Sequence, residues 1–356
     1  MRVIFLQDHL RSGGTERQTL HIADGLAQAG YEVHLIVFRR GGVLDDKAAN
    51  SAFALHFLKQ GPLKTNWFAP GLKSKLQSLQ PDIVFAMGRM ANCHAGLLCR
   101  APHSYRIIST FRTGRPIPSL YRKALRESNH LVANSQEALD RISKIYGITR
   151  SDSSVIYNGC LRDFTTSIPS LRNESPEKRR IQLASVSMFR PQKKQIRLLR
   201  ICAGLPESID WRLILAGDGV TRNACIRETD TLGISNRVEF PGLLRDPSPL
   251  YFESDIAVHT SEQESLPNFL VEAQMAGLPV IAYDAGGVAE TFVHEKSGYL
   301  VAQGDEAAFR KQLQFLIETP DLRLQMSQAA RDYAAQNFTP KAQTKAYQAL
   351  LKKLRT

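Results

Sequence analysis

The chain has 356 residues, 43 % hydrophobic and 22 % charged, an ordinary balance for a soluble globular protein long enough to bury two cores. Its five cysteines, Cys93, Cys99, Cys160, Cys202 and Cys225, are odd in number and include no C-x-x-C pair. That argues against a disulfide framework or a structural zinc, and for free thiols in a reducing, cytoplasmic setting. No apolar stretch approaches the roughly 18 residues of a spanning helix, and the opening MRVIFLQDHL reads as a first strand, not a signal peptide.

In chain order, short β-rich apolar runs alternate with longer helical patterns, which predicts βαβ units and parallel sheets. The first half offers strands at Val3–Leu6, Val33–Phe38, Asp82–Met87, Arg106–Thr110, His130–Asn134 and Ser154–Tyr157. A polar stretch with two prolines, TTSIPSLRNESPEKRR, then lacks periodicity and reads as a linker. The pattern restarts at Gln182–Val186, Arg212–Ala216, Val238–Pro241, Ile256–Thr260, Pro279–Tyr283 and Tyr299–Val301. The expected domains are therefore 1–165 and 181–339, joined by a linker over 166–180. The last stretch, Pro340–Leu354, is a helical pattern with Ala346, Leu350 and Leu354 on one face. Two such α/β halves are expected to face one another across a cleft at their strand C-termini, where open sheets bind ligands.

The net charge of +12 is unevenly placed. From Lys47 to Arg126 one acid, Asp82, stands against thirteen lysines and arginines. Such a field attracts anions and is screened by salt. An anionic membrane surface or a lipid-diphosphate acceptor fits it, and so does a merely solvated basic face. Nucleic acid is not expected, because no helix-turn-helix, RNP or zinc-finger pattern accompanies the charge.

The densest motif is Ser261–Glu290, SEQESLPNFLVEAQMAGLPVIAYDAGGVAE. Glu264 and Glu272 have seven residues between them, with Pro267 and Asn268 in the gap. Proline suits the first turn of a helix, whose N–H groups attract anions. The two carboxylates are suited to accept hydrogen bonds from hydroxyls, as on a sugar and a ribose. Phosphate and two polyols together describe a nucleotide sugar. The bland alternative is a core helix with a surface glutamate at each end. Upstream, Gly13-Gly14 follows the first strand and would let backbone approach a phosphate. Glu16 and Arg17 beside it could equally form a surface ion pair. No G-x-G-x-x-G is present, against a dinucleotide-dependent enzyme.

The stretch Glu264, Ser265, Leu266, Pro267, Asn268, Glu272, Gly277, Pro279 resembles the E-x7-E signature of the retaining glycosyltransferases with two Rossmann-like domains, the GT-B enzymes of family 4, or group 1. The resemblance implies an α/β GT-B fold, a second domain that binds a nucleotide sugar, and a final helix that crosses back onto the first domain. It implies a UDP-sugar donor and a lipid-linked or growing bacterial glycan acceptor. Gly13-Gly14-x-Glu16-Arg17 matches the family's GG-x-E-R. Arg190 and Lys193, in VSMFRPQKKQ, match its basic pair at the leaving diphosphate; the register allows Met188 in place of Arg190, and Lys193 fits better than Lys194. Gly217 and Gly219 resemble its turn near the nucleotide, and Val238–Gly242 with Leu243 and Leu244 the segment near the base. Where many relatives carry a histidine near the reacting sugar, this chain has Arg112, which cannot act as a general base and would instead pair with phosphate. Glu264, Arg190, Lys193 and Arg112 are thus the candidate catalytic residues. Gly13, Gly14, Gly217, Gly219, Leu243, Ser265, Leu266, Pro267, Asn268 and Glu272 are the candidate substrate contacts. No cofactor or catalytic metal is expected, since neither a D-x-D triplet nor a histidine cluster is present. The rival readings are a non-catalytic or epimerase-type nucleotide-sugar-binding protein of the same architecture.

Trp67 and Phe68 lie between Lys64 and Lys73, and Arg115, Arg122, Lys123 and Arg126 cluster around SLYRKALR. Rings flanked by cations suit a membrane interface, at about 1 kcal/mol per basic residue near an anionic bilayer. Sedimentation with anionic liposomes is expected to carry the protein down at low salt and release it at high salt. Equal recovery in the supernatant with anionic and neutral lipid at low salt would remove the membrane from the account.

Overall fold

Val3, Ile4, Phe5 and Leu6 are wholly buried. A strand apolar on both faces belongs in the middle of a parallel sheet covered by helices. In the computed structural model, which describes residues 1–11, 13–59, 68–100, 102–113, 116–162, 164 and 180–355, the chain splits into two units. One comprises Met1–Leu161 with Pro340–Thr356, the other Arg162–Thr339.

In the first unit the apolar runs form β1 (Arg2–Gln7), β2 (Glu32–Val37), β3 (Ala54–Phe57), β4 (Ile83–Met87), β5 (Arg106–Phe111), β6 (His130–Ala133) and β7 (Ser153–Val155). All are parallel, in the order β3-β2-β1-β4-β5-β6-β7. Between them run α1 (Gly14–Gln28), α2 (Asp45–Ala49), α3 (Leu72–Leu79), α4 (Gly88–Leu98), α5 (Ser119–Glu127) and α6 (Gln136–Tyr146). Local chemistry sets their ends. Ser135 accepts from Ala138 N at 3.1 Å to cap α6, and Gly147, left-handed at φ 60°, closes it. The order reverses between β1 and β4, so the loop after β1 opens at this unit's switch point.

The second unit repeats the plan with β8 (Ile181–Val186), β9 (Trp211–Ala216), β10 (Val238–Gly242), β11 (Ile256–His259), β12 (Val280–Tyr283) and β13 (Gly298–Val301). Their order is β10-β9-β8-β11-β12-β13, again all parallel, with the switch between β8 and β11. Its helices are α7 (Gln195–Ala203), α8 (Arg222–Thr231), α9 (Ser248–Glu253), α10 (Asn268–Met275), α11 (Glu306–Glu318) and α12 (Pro320–Asn337).

The last helix, α13 (Pro340–Arg355), lies in the first unit. Its buried face is Gln343, Tyr347, Leu350, Leu351 and Leu354; Ala346 is only half-buried at its edge. Burying one such apolar side chain contributes about 1.5–3 kcal/mol relative to exposure. Tyr347 meets Phe85 edge-on at 5.6 Å, Thr344 packs on Gly25 of α1, and His21 bonds Pro340 O at 3.2 Å.

Two features differ from the sequence reading. β3 is a short, half-exposed edge strand, and nothing in the sequence marks it. The contact boundary falls after Leu161, ahead of residue 165, because Arg162 and Phe164 bind the second unit: Arg162 pairs with Asp246, and Phe164 packs on Tyr251 and Phe252. The expected linker lies outside the described residues, save Arg180, which pairs with Asp210 at 2.7 Å. Among the described residues no helix is long and apolar enough to cross a membrane.

Lys64, Trp67 and Arg115 also lie outside the described residues, while Phe68 is 69 % exposed. The cations of α5 are engaged by their own unit: Arg122 lies over the Tyr146 ring, Lys123 pairs with Glu127 at 2.9 Å, and Arg126 donates to Tyr146 O.

Candidate functional site

In the second unit the loops after β8, β9, β11 and β12 emerge at the strand C-termini. After β8 the chain buries Phe189 and exposes Met188 and Arg190 on either side of it. Both residues of the ambiguous register therefore face outward. Arg190 has no ion-pair partner among the described residues. A single 3-10 turn, Pro191–Lys193, follows, and Lys194, left-handed at φ 51°, starts α7.

Two glycines let the next loop lie against this one. Gly217 (φ 140°) and Gly219 (φ 144°) occupy backbone conformations that side chains rarely adopt, and a Cβ at either would collide with Ser187 O or Phe189 O. Phe189 N donates to Asp218 O at 2.8 Å, and Gly217 N to Gly242 O at 2.8 Å. Close backbone packing is thus the local reason for both glycines. Leu243, just past β10, is 66 % exposed.

The loop after β11 is clamped to the loop after β8. Thr260 Oγ1 donates to Lys193 O and Lys194 O at 3.2 and 3.1 Å, and Glu262 N donates to Gln192 O at 2.9 Å. This clamp brings Lys193 onto Glu264: the ammonium donates to Glu264 Oε1. The same oxygen meets His259 Nε2 at 2.8 Å. Side-chain exposure is 12 % for Glu264 and 3 % for His259. Burial by itself would raise the Glu264 carboxyl; the His259 hydrogen bond and charge, with the Lys193 ammonium, outweigh it and hold it at about 2. Lys194 turns instead to Glu262, at 3.2 Å, which separates the roles of the two lysines. Glu262 also meets Arg197 at 3.6 Å, so it belongs to a surface network.

Beyond Glu264 the chain buries Leu266 and Pro267 and leaves Ser265 half-buried and Asn268 exposed. Leu266 and Pro267 can therefore offer a ligand backbone only. Pro267 is the residue that caps α10, one place earlier than a first-turn proline. Glu272, one turn into α10, accepts from Tyr251 OH at 2.8 Å and pairs with Arg162 Nε at 3.2 Å, both through Oε2. Arg162 also donates to Asp246 at 2.8 Å. The loop after β12 joins through Gly287 N, which donates to Glu264 O at 3.3 Å. The structure thus gathers Lys193, Glu264 and the start of α10 at the switch point, with Glu272 one turn along. Sequence reasoning missed His259, Tyr251 and Arg162. A polar residue ending the apolar strand IAVH was the available signal for the first; nothing local marks the other two.

In the first unit, Gly13 caps α1 and Gly14 begins it. The Glu16 carboxylate folds toward Gly13, away from an ion pair with its neighbour, and burial there raises its pKa. Arg112, just past β5, donates to Asn158 Oδ1 at 2.6 Å and to Tyr347 OH at 2.7 Å. Both partners are neutral, so no carboxylate among the described residues cancels its charge.

Two family descriptions cover most of the chain: Glycosyltransferase Family 4 matches residues 12–161, and Glycosyl transferases group 1 matches residues 167–333. The chain belongs to this family of glycosyltransferases. It is 25 % identical over 353 residues to LpsE, a lipopolysaccharide core biosynthesis glycosyltransferase of Rhizobium meliloti, across 96 % of each chain. It is 30 % identical over 156 residues to the N-acetyl-alpha-D-glucosaminyl L-malate synthase of Bacillus anthracis, across 44 % of this chain and 41 % of that one. Among solved structures it resembles Anabaena HepE with UDP (TM-score 0.83, 22 % identity, 99 % of this chain and 100 % of that one). It also resembles the apo form of WaaB, a lipopolysaccharide outer core galactosyltransferase (TM-score 0.79, 19 % identity, 99 % and 100 %). The fold of this glycosyltransferase is GT-B.

Because Glu264 titrates at about 2 when folded, below its ordinary 4.5, its contribution to stability is complete above pH 4.5 and is lost as pH falls toward 2. Glu264→Gln is therefore expected to flatten the stability curve in that window. Urea midpoints across it check this; parallel curves for the two proteins would contradict the burial and pairing of Glu264.

Proposed function

We propose that this glycosyltransferase is a retaining, metal-independent enzyme that moves a sugar from a UDP-sugar to a lipid-linked or growing bacterial glycan. The observation that carries the reading is the buried Glu264 carboxylate, held ionised by Lys193 and His259 where the loops after β8 and β11 meet. Support comes also from HepE, which has been solved with UDP and with UDP-glucose, and from the lipopolysaccharide enzymes LpsE and WaaB.

In this reading Glu264 accepts a hydrogen bond from a hydroxyl of the donor sugar, and Glu272 accepts from the ribose. As the anomeric carbon–oxygen bond breaks, its electron pair passes to the diphosphate. Arg190, exposed and without an ion-pair partner among the described residues, and Lys193 meet the charge that develops there, so no metal is required. The acceptor oxygen bonds to the anomeric carbon on the face the diphosphate leaves, and its proton passes to the leaving phosphate oxygen. The first unit takes the acceptor, with Arg112 pairing a phosphate. Peripheral contact with an anionic membrane is part of the same proposal, supported by the exposed Phe68 ahead of Lys73 and Lys75.

Calorimetric titration tests the reading. UDP is expected to bind with EDTA present, and Glu272→Ala to weaken it by about 1–3 kcal/mol, the range for a hydrogen bond to a charged group. Unchanged affinity in the variant would remove Glu272 from the site, and loss of binding on chelation would overturn the metal-independent reading.

A further inference from the structure

Glu264 faces a conflict if the donor reading holds. Its oxygen Oε1 takes two donors, Lys193 and His259, and no donor among the described residues meets Oε2. Lys193 is also the cation assigned to the diphosphate. An ammonium on a flexible four-carbon stem can leave one anion for another. A buried carboxylate that loses its cation pays a large desolvation penalty unless another donor stays in place.

His259 has the properties of that donor. It ends β11, where the sheet pairs it with Ala282 of β12, so its backbone is held in register. Its ring is buried, with Phe269 5.8 Å away. An ionised carboxylate only accepts, so Nε2 carries the hydrogen and donates. We propose that His259 is the positioning residue that holds Glu264 Oε1 when Lys193 turns to the diphosphate, so that Oε2 stays directed at the donor sugar. His259 touches no substrate; it acts through Glu264. The proposal rests on the donor reading and adds to it a residue and a division of labour. His259 serves the nucleotide only by freeing Lys193, and the sugar also by keeping Oε2 aimed.

Two substitutions separate position from bulk. Glutamine places its amide nitrogen near the position of Nε2, whereas asparagine reaches only as far as Nδ1. The probes are UDP, which lacks the sugar, and UDP-glucose, titrated by calorimetry into the whole protein, with thermal unfolding to confirm that each variant is folded. His259→Asn is expected to weaken UDP-glucose about tenfold to a hundredfold and UDP clearly less, since freeing Lys193 costs both ligands and only UDP-glucose also loses the sugar contact, and His259→Gln to restore most of the loss. Glu264→Gln, run alongside, should reproduce the loss of the sugar-dependent affinity. Equal behaviour of the Asn and Gln variants, or loss of UDP and UDP-glucose in parallel, would overturn the positioning role while leaving the donor reading intact. If Glu264→Gln itself leaves UDP-glucose affinity unchanged, the donor reading fails and this proposal with it. The comparison of Asn with Gln is one between polar side chains, so a folding defect common to both does not decide it.

Discussion

The structure of the second unit turns on one constraint: a carboxylate that is nearly buried must keep its charge. Glu264 is 12 % exposed, and burial alone would favour its protonated form. Two nitrogen donors on one oxygen reverse that preference. Each donor has to be delivered by a different segment, so the loops after β8 and β11 must be held together. The hydrogen bonds from Thr260 to the Lys193 and Lys194 carbonyls, and from Glu262 N to Gln192 O, do this. The two glycines after β9 serve the same end, because only they let that turn lie against Ser187 and Phe189.

The second carboxylate obeys the same logic with different parts. Glu272 is oriented through Oε2 by Tyr251 and Arg162, and Arg162 is itself fixed by Asp246. Arg162 belongs by contact to the second unit although it follows directly on the chain of the first. Each glutamate of the pair is thus held by a hydrogen-bond donor and a cation from outside the helix or loop that carries it. That arrangement leaves carboxylate geometry fixed before any ligand arrives, which is what a preorganised polar site requires.

The strands were legible because the parallel sheets bury them on both faces, giving continuous apolar runs such as Val3–Leu6. β3 was not, since an edge strand half in solvent needs no such run. At the site, Glu264 and Glu272 could be named because the spacing between loop and helix is a property of sequence, and Lys193 because it follows a strand where the resemblance implies a basic pair. Tyr251 and Arg162 could not, because their contact with Glu272 depends on where β7 exits and where α9 lies. His259 stood only five residues before Glu264, yet in sequence it read as the end of a strand. Leu266 and Pro267 carried the resemblance; packing buries both side chains, and Pro267 caps α10.

Hydrogen exchange read by mass spectrometry, with and without UDP-glucose, tests the central claim most directly, because it needs no substitution and no acceptor. If the donor is held at the switch point of the second unit, bound UDP-glucose should slow exchange in the segments 187–195, 260–272 and 285–288. UDP alone should protect 260–272 and 285–288 less. Protection confined to other segments, or none at saturating UDP-glucose, would contradict the account.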